Sequence, residues 1–192
     1  MMQQADIRTR LDQAAIRLFA RQGVAGTSVR DIAQLARIAD GTLYRHYSSK
    51  DAMARSLFER HYTSLGASFL ESAARHEGIA AKLRAVIAGA YELFDNEREL
   101  FGFILLSQHD HLAAIGEPDP SPVNVIRDLL ADAMKRGEIA SGDAEFAASL
   151  ALGIALQPAV FTVYGRLEGP LSARAGQVAT AVLDALGGGH ET

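Results

Sequence analysis

The sequence predicts an all-α fold of about nine helices, and three observations carry that expectation. Apolar residues recur at steps of three and four along most of the chain. No strand-like alternation runs long enough to compete. Two short amphipathic segments joined by a tight turn lie near the start, ahead of a longer helical body.

The first helix is set by Ile7, Leu11, Ala14, Ala15, Leu18 and Phe19, and Gly23 stops it just beyond Gln22. Thr27 and Ser28 offer an N-cap to a short second helix, with Asp31 in the place of the usual Glu or Gln of a capping box. Ile32, Ala33 and Leu35 are expected to form its buried stripe. A turn at Arg37–Ala39 leads to a third helix over 40–47. "SSKD" opens a fourth, with Ser48 or Ser49 as cap and Lys50 in its first turn.

Further on, Leu83, Val86, Ile87, Ala90 and Phe94 mark one stripe. "ELFGFILLSQHDHL" is apolar nearly all round near its middle and is expected to be buried. "GEPDPSP" is a proline-rich connector, and Ile126, Leu129, Leu130, Ala133 and Met134 then share a face before Gly137. "DAEFAASLALGIALQPAVFTVYGRL" is long and rich in small residues, and Pro158 is expected to bend it. A last helix is expected over 172–186, ended by "GGG".

Composition narrows the class. The chain has 192 residues, 48% hydrophobic and 22% charged, as a globular protein has. Without cysteine it has no disulfide or thiolate metal site, which suits a reducing cytoplasm. The start "MMQQADIRTRLDQAAIRLFARQG" holds acids and lacks the continuous apolar stretch of a signal peptide. No uninterrupted apolar run reaches the ~18 residues of a membrane span. A cytoplasmic protein without a membrane partner is expected. The net charge of −4 is uneven: residues 1–60 carry ten Arg and Lys against six acids, and the rest nine against seventeen. A basic end on an acidic body suits contact between the first segment and a polyanion, although scattered solvated charge gives the same count.

The residues after the turn sharpen that choice. On a helix centred on Leu43 and stepping ~100° per residue, Tyr47 falls about 40° away on the buried side. Gly41, Thr42 and Arg45 fall on the far side, with Tyr44 and His46 on the flanks. Glycine lets a helix approach base edges, Thr42 can donate to a phosphate or touch a thymine methyl, and Arg45 can reach guanine in the major groove. Tyr44, His46 and Lys50 suit the phosphate walls, which position a reading helix without carrying sequence information.

Residues 5–60 resemble the DNA-binding domain of the TetR (tetracycline-repressor-like) family of bacterial transcriptional regulators. The carrying pieces are "RLFARQG", "GTSVRDIA" and "GTLYRHYSSKDAM". The resemblance implies a helix-turn-helix DNA-binding domain at 1–50 and a helical ligand-binding and dimerisation domain at 51–192. It implies DNA contacts from Arg30 on the second helix, from Gly41, Thr42, Tyr44, Arg45 and His46 on the third, and from Lys50. Thr27 and Ser28 lie where the second helix would meet a phosphate. A homodimer on palindromic double-stranded DNA is implied, a repressor released by a small, mainly hydrophobic effector. Family members usually have Gly where this chain has Arg37, and Ser or Thr where it has Ala39. A left-handed Arg37 costs roughly 1–2 kcal/mol, and a missing cap about 0.5–2 kcal/mol unless Asp40 caps instead.

In the body, three pairs of large groups stand one helical turn apart: Tyr91 with Phe94, Leu106 with His109, and Phe161 with Tyr164. They are candidates for a ligand lining, mostly apolar with a few polar tips, and ordinary core packing is the competing reading for each. "FAASLALGIAL" and "VATAVLDAL" mix small with large apolar residues, so the last two long helices are the expected dimer faces. His109 and His111 point about 200° apart on a helix and cannot share an ion, so neither a metal nor a cofactor is expected. The chain has no G-x-S-x-G elbow, P-loop or G-x-G-x-x-G, and no enzymatic activity is expected. A helical enzyme and a helical protein-interaction module without DNA binding are the competing classes. The first lacks a catalytic constellation, and the second leaves the cluster from Thr42 to Lys50 unexplained.

Overall fold

The computed structural model describes residues 2–115 and 118–187, with side chains except at 2–5, 109, 110 and 113–115. Every regular element among them is helical. They are α1 (Met2–Gln22), α2 (Val29–Ala36), a 3-10 segment (Asp40–Arg45), α3 (Lys50–Ala74), α4 (Gly78–Asn96), α5 (Arg98–Ile115), α6 (Pro122–Lys135), α7 (Ala144–Val163), a second 3-10 segment (Leu171–Arg174) and α8 (Ala175–Ala185). The all-α fold with three helical elements at its N-terminus is as expected.

Met1–His61 and Arg98–Glu117 form one compact unit, and Tyr62–Glu97 with Pro118–Thr192 a second. This grouping differs from a division at residue 50, because α5 packs on α1. The rings of Phe19 and Phe103 lie 5.7 Å apart. Arg17 and Arg21 both donate to the Glu99 carboxylate, at 2.9 and 2.8 Å. Partial burial opposes ionisation of Glu99, but the two guanidiniums more than offset it and hold the carboxyl below its usual range. As expected, the middle of α5 is buried all round, from Phe101 to Leu105.

Local signals explain the first unit. Leu11, Ala14, Ala15 and Phe19 are the buried face of α1, and Gly23, at φ 73°, ends it by donating to the Phe19 carbonyl. Ser28 caps α2: its Oγ accepts from the Asp31 N–H at 3.1 Å, while Asp31 accepts from the Ser28 N–H at 3.1 Å. The buried stripe of α2 is Ile32, Ala33 and Ala36. Leu35, expected in that stripe, is instead 41% exposed. It lies about 160° from Ala33 on a helix, whereas Ala36 falls within about 40° of Ile32.

The turn is left-handed at Arg37, with φ 55° and ψ 50°. Its N–H donates to Gln34, and that of Ile38 to Ala33, which satisfies the last carbonyls of α2. The next element is shorter and tighter than the helix expected over 40–47. Ala39 has no side chain to cap it and Asp40 does not take that role. The chain closes i→i+3 bonds instead, Thr42 N–H to Ala39 and His46 N–H to Leu43, both at 2.9 Å. Ser49 rather than Ser48 caps α3, accepting from the Ala52 N–H at 3.0 Å.

In the second unit α4 packs with α6 and α8, and α7 with α6 and α8. Gly66 of α3 is buried where a methyl would come within 2.9 Å of the Ser121 carbonyl carbon, so only glycine fits that approach. The helix expected over 172–186 is two elements, because the Asp95 carboxylate takes the N–H groups of Leu171 and Ser172 at 2.8 and 2.9 Å and fixes a separate 3-10 turn there. Helix α7 continues through Pro158, and Ala147, Ala148, Ala151, Ala159 and Thr162 are its buried side. By length and composition it could cross a membrane; Glu145, Ser149 and Gln157 interrupt its apolar run.

Tyr91 is buried, and its hydroxyl donates to the Ala155 carbonyl at 2.7 Å. Burial pushes the phenol up to about 12 from an ordinary 10.0. The unfolded phenol ionises first, so its contribution is complete below about pH 10 and is lost as pH rises toward about 12, by at most about 1.4 kcal/mol per pH unit. Tyr91→Phe is expected to unfold about 0.5–1.5 kcal/mol more easily near neutral pH. In urea titrations its deficit should narrow above pH 10; a constant deficit would contradict the buried neutral phenol.

Candidate nucleic-acid interface

The first unit holds the third element from beneath and leaves its other faces open. Leu43 and Tyr47 are buried against the core. Under them sits Asp12, the one acid on the apolar face of α1, which accepts from the Tyr47 hydroxyl at 2.7 Å and from the Arg60 guanidinium at 2.7 Å. Arg8 lies over the Tyr47 ring, 5.7 Å from its centre. Burial first, and then the Asp12 charge, raise the Tyr47 phenol above its ordinary range and keep it a donor. Three segments of chain thus meet on one carboxylate.

The 3-10 geometry changes which side chains share a face. Residues three apart eclipse, so Gly41 stands under Tyr44 and Thr42 under Arg45, on the two faces not taken by Leu43. Tyr44 is 60% exposed, Gly41 and Arg45 are exposed, and Thr42 and His46 half-buried. The α-helical expectation placed Tyr44 on a flank; here it projects above the glycine, with no side chain below to hold it off a partner. Among the described residues, Arg45 has no ion-pair or hydrogen-bond partner.

The second helix presents its N-terminus beside this element. Ser28 and Arg30 are exposed, and the Ser28 hydroxyl and N–H hold the Asp31 carboxyl below its usual range. Thr27 turns inward: it is buried, donates to the Gly23 carbonyl at 2.8 Å and accepts from Gln22 at 3.3 Å. Lys50 reaches back, its Nζ donating to the Thr27 carbonyl at 2.7 Å. The ammonium is therefore pinned beside the start of α2, with donors to spare. Sequence reasoning missed Asp12, Gln22 and Arg60. The signal for Asp12 was present, an acid adjoining Leu11 on an apolar stripe; Gln22 and Arg60 left none.

Residues 13–57 match the family described as bacterial regulatory proteins, tetR family. The family match is thus confined to this head. The HTH-type transcriptional repressor KstR2 of Rhodococcus jostii is 36% identical over 88 residues, which span 46% of this chain and 43% of that one. The match thus covers less than half of the relative's length. Among solved structures, the transcriptional regulator FadR from Bacillus subtilis, in complex with stearoyl-CoA, has a TM-score of 0.75 at 20% identity, over 95% of this chain and 100% of that one. A TetR family transcription regulator from Marinobacter aquaeolei has a TM-score of 0.75 at 19% identity, over 97% and 98%. At these identities the two structures show likeness of fold alone, over nearly the whole chain.

The body candidates stand in differing surroundings. Tyr91 and Phe94 are core residues of α4. Phe161 is half-buried with the Arg166 guanidinium 5.0 Å from its ring centre, and Tyr164 is mostly exposed. Leu106 belongs to the first unit and is 46% exposed. His109 lies outside the residues whose side chains are described. On the same helix the ring centre of His111 lies 4.9 Å from that of Phe58. No group of three or more His, Cys, Asp or Glu that could hold a metal occurs among the described residues.

The shared carboxylate gives a direct test. Asp12→Ala leaves the Tyr47 hydroxyl buried without its acceptor and is expected to destabilise the fold by about 1–3 kcal/mol. In a double-mutant cycle, Asp12→Ala and Tyr47→Phe should couple by about 0.5–3 kcal/mol. Additive losses would show that the two side chains act independently.

Proposed function

We propose that the protein is a dimeric, ligand-responsive transcriptional repressor of the TetR family that binds a palindromic operator in the cytoplasm. The observation that carries this reading is the element Asp40–Arg45, anchored inward by Leu43 while Gly41, Tyr44 and an unpaired Arg45 face outward. In the groove, Arg45 would read a guanine edge, and Gly41 and Thr42 would permit and make close contacts. Tyr44, His46, Lys50, Ser28 and Arg30 would meet phosphates and set the register. Thr27 would act from behind, through the carbonyl that holds Lys50.

A second copy is supported by α7. Phe146 is 63% exposed and Leu150, one turn on, is also exposed; Tyr164 extends the line. So much apolar surface on a helix already packed along its other side fits a self-complementary interface. Two heads would then meet half-sites one helical turn apart or a multiple of it. The intact protein should sediment as a dimer at micromolar concentration, and a monomer would remove this part of the proposal.

DNA retardation with the region upstream of the protein's own gene tests the interface. Arg45→Ala is expected to weaken binding by roughly 5–150-fold, the equivalent of ~1–3 kcal/mol, and to relax preference at one position per half-site. Tyr44→Ala should weaken all sequences alike. Unchanged affinity in both variants would refute the assignment.

The effector is proposed to be a mainly hydrophobic small molecule, with Tyr91, Phe94, Leu106, His109, Phe161 and Tyr164 as the candidate residues. The likeness in fold to a FadR structure holding stearoyl-CoA supports testing long-chain acyl-CoA first. A binding acyl-CoA raises Tm, and at saturation it should lower operator affinity by the factor by which DNA lowers acyl-CoA affinity. Equal operator affinity with and without bound acyl-CoA would end this reading.

A further inference from the structure

Seven described residues have left-handed backbone conformations. Six of them are glycines, at 23, 78, 137, 165, 169 and 187, and the seventh is Arg37. A side chain is disfavoured in this conformation because its Cβ crowds the following carbonyl, which is why glycine is the usual choice. Where the chain needs only a left-handed turn, it has glycine. The exception falls on the turn between α2 and the 3-10 segment Asp40–Arg45, inside the proposed DNA-binding surface.

What the side chain does inside the protein does not explain it. Arg37 is exposed, and among the described residues its guanidinium has no ion-pair or hydrogen-bond partner. The hydrogen bonds that close the turn are made by the Arg37 and Ile38 backbone N–H groups, which glycine would supply equally well. Nearby, Asp40 is an exposed acid in the first turn of the 3-10 segment, where it would repel a phosphate backbone. A cation three residues earlier offsets that charge. Strained backbone held at a functional surface points from the outlier to a role for its side chain.

We propose that Arg37 is a DNA-binding residue in its own right, contacting the phosphate backbone beside the groove that the 3-10 segment enters. The inference rests on the DNA-binding reading above and adds to it a contact this chain makes where a glycine turn could make none. A guanidinium suits phosphate because its planar fork of donors can bind two oxygens at once. The contact is to phosphate rather than to a base, so it strengthens binding to all sequences alike.

The test compares the intact wild type with Arg37→Gly, Arg37→Asn and Arg37→Lys, using thermal unfolding and anisotropy titrations of duplex DNA of arbitrary sequence across a salt series. Glycine and asparagine tolerate the left-handed turn, so both variants should hold or raise Tm, glycine by about 2–8 °C. Both should nevertheless bind DNA more weakly, with the slope of log affinity against log salt reduced by about 0.9 per subunit. Arg37→Lys should keep the wild-type slope. Arg37→Gly and Arg37→Asn variants that match the wild type in affinity and slope would overturn the Arg37 contact while leaving the DNA-binding reading intact. A wild type that binds no duplex would overturn both.

Discussion

One buried carboxylate organises the head. Asp12 lies on the inner face of α1, and it receives the Tyr47 hydroxyl from the segment after the third element and the Arg60 guanidinium from α3. A lone buried acid is costly, and here the cost is offset by two short hydrogen bonds, one of them within the ion pair with Arg60. The consequence is positional. The 3-10 segment is too short to define its own orientation, but with Leu43 in the core and Tyr47 tied to Asp12 its inward face is fixed. The outward face then has only one direction to point. Lys50, drawn to the Thr27 carbonyl, holds the start of α3 against the start of α2 in the same way.

The parts of this arrangement that were legible in the sequence are those written in local signals. Ser28 and Asp31 announced the cap of α2, Gly23 the end of α1, and Tyr47 was placed inward by its angle from Leu43. The departures at Arg37 and Ala39 were also visible, yet their consequences were not. Arg37 takes the left-handed turn regardless, since the backbone bonds that close it are indifferent to the side chain. Ala39 offers no cap, and the helix beyond it tightens to 3-10. That tightening rotates each residue by about 20° relative to an α-helix, enough to pair Tyr44 with Gly41. Leu35 is apolar yet exposed, because the small Ala36 fills the inner position of α2.

Long-range partners were the least legible. Nothing in the spacing of Arg17, Arg21 and Glu99 foretold that one carboxylate would take both guanidiniums and draw α5 onto α1. Asp95 likewise carries no local sign that it will hold the turn at Leu171. The ligand candidates rest on pairs one turn apart on separate helices, and such pairs fix no relation between those helices. Large groups at helical spacing are what a core requires as well, and Tyr91 and Phe94 serve that role here.

The central claim is that residues 28–50 form a surface held rigid from within and open to DNA. Amide hydrogen exchange of the intact protein, with and without duplex DNA from its own upstream region, tests it most directly. Slowed exchange on binding should concentrate at the start of α2 and across residues 37–50, with little change at the inner face of α1, which is already protected. Protection confined to the body, with residues 28–50 exchanging at the same rate in both states, would contradict the claim.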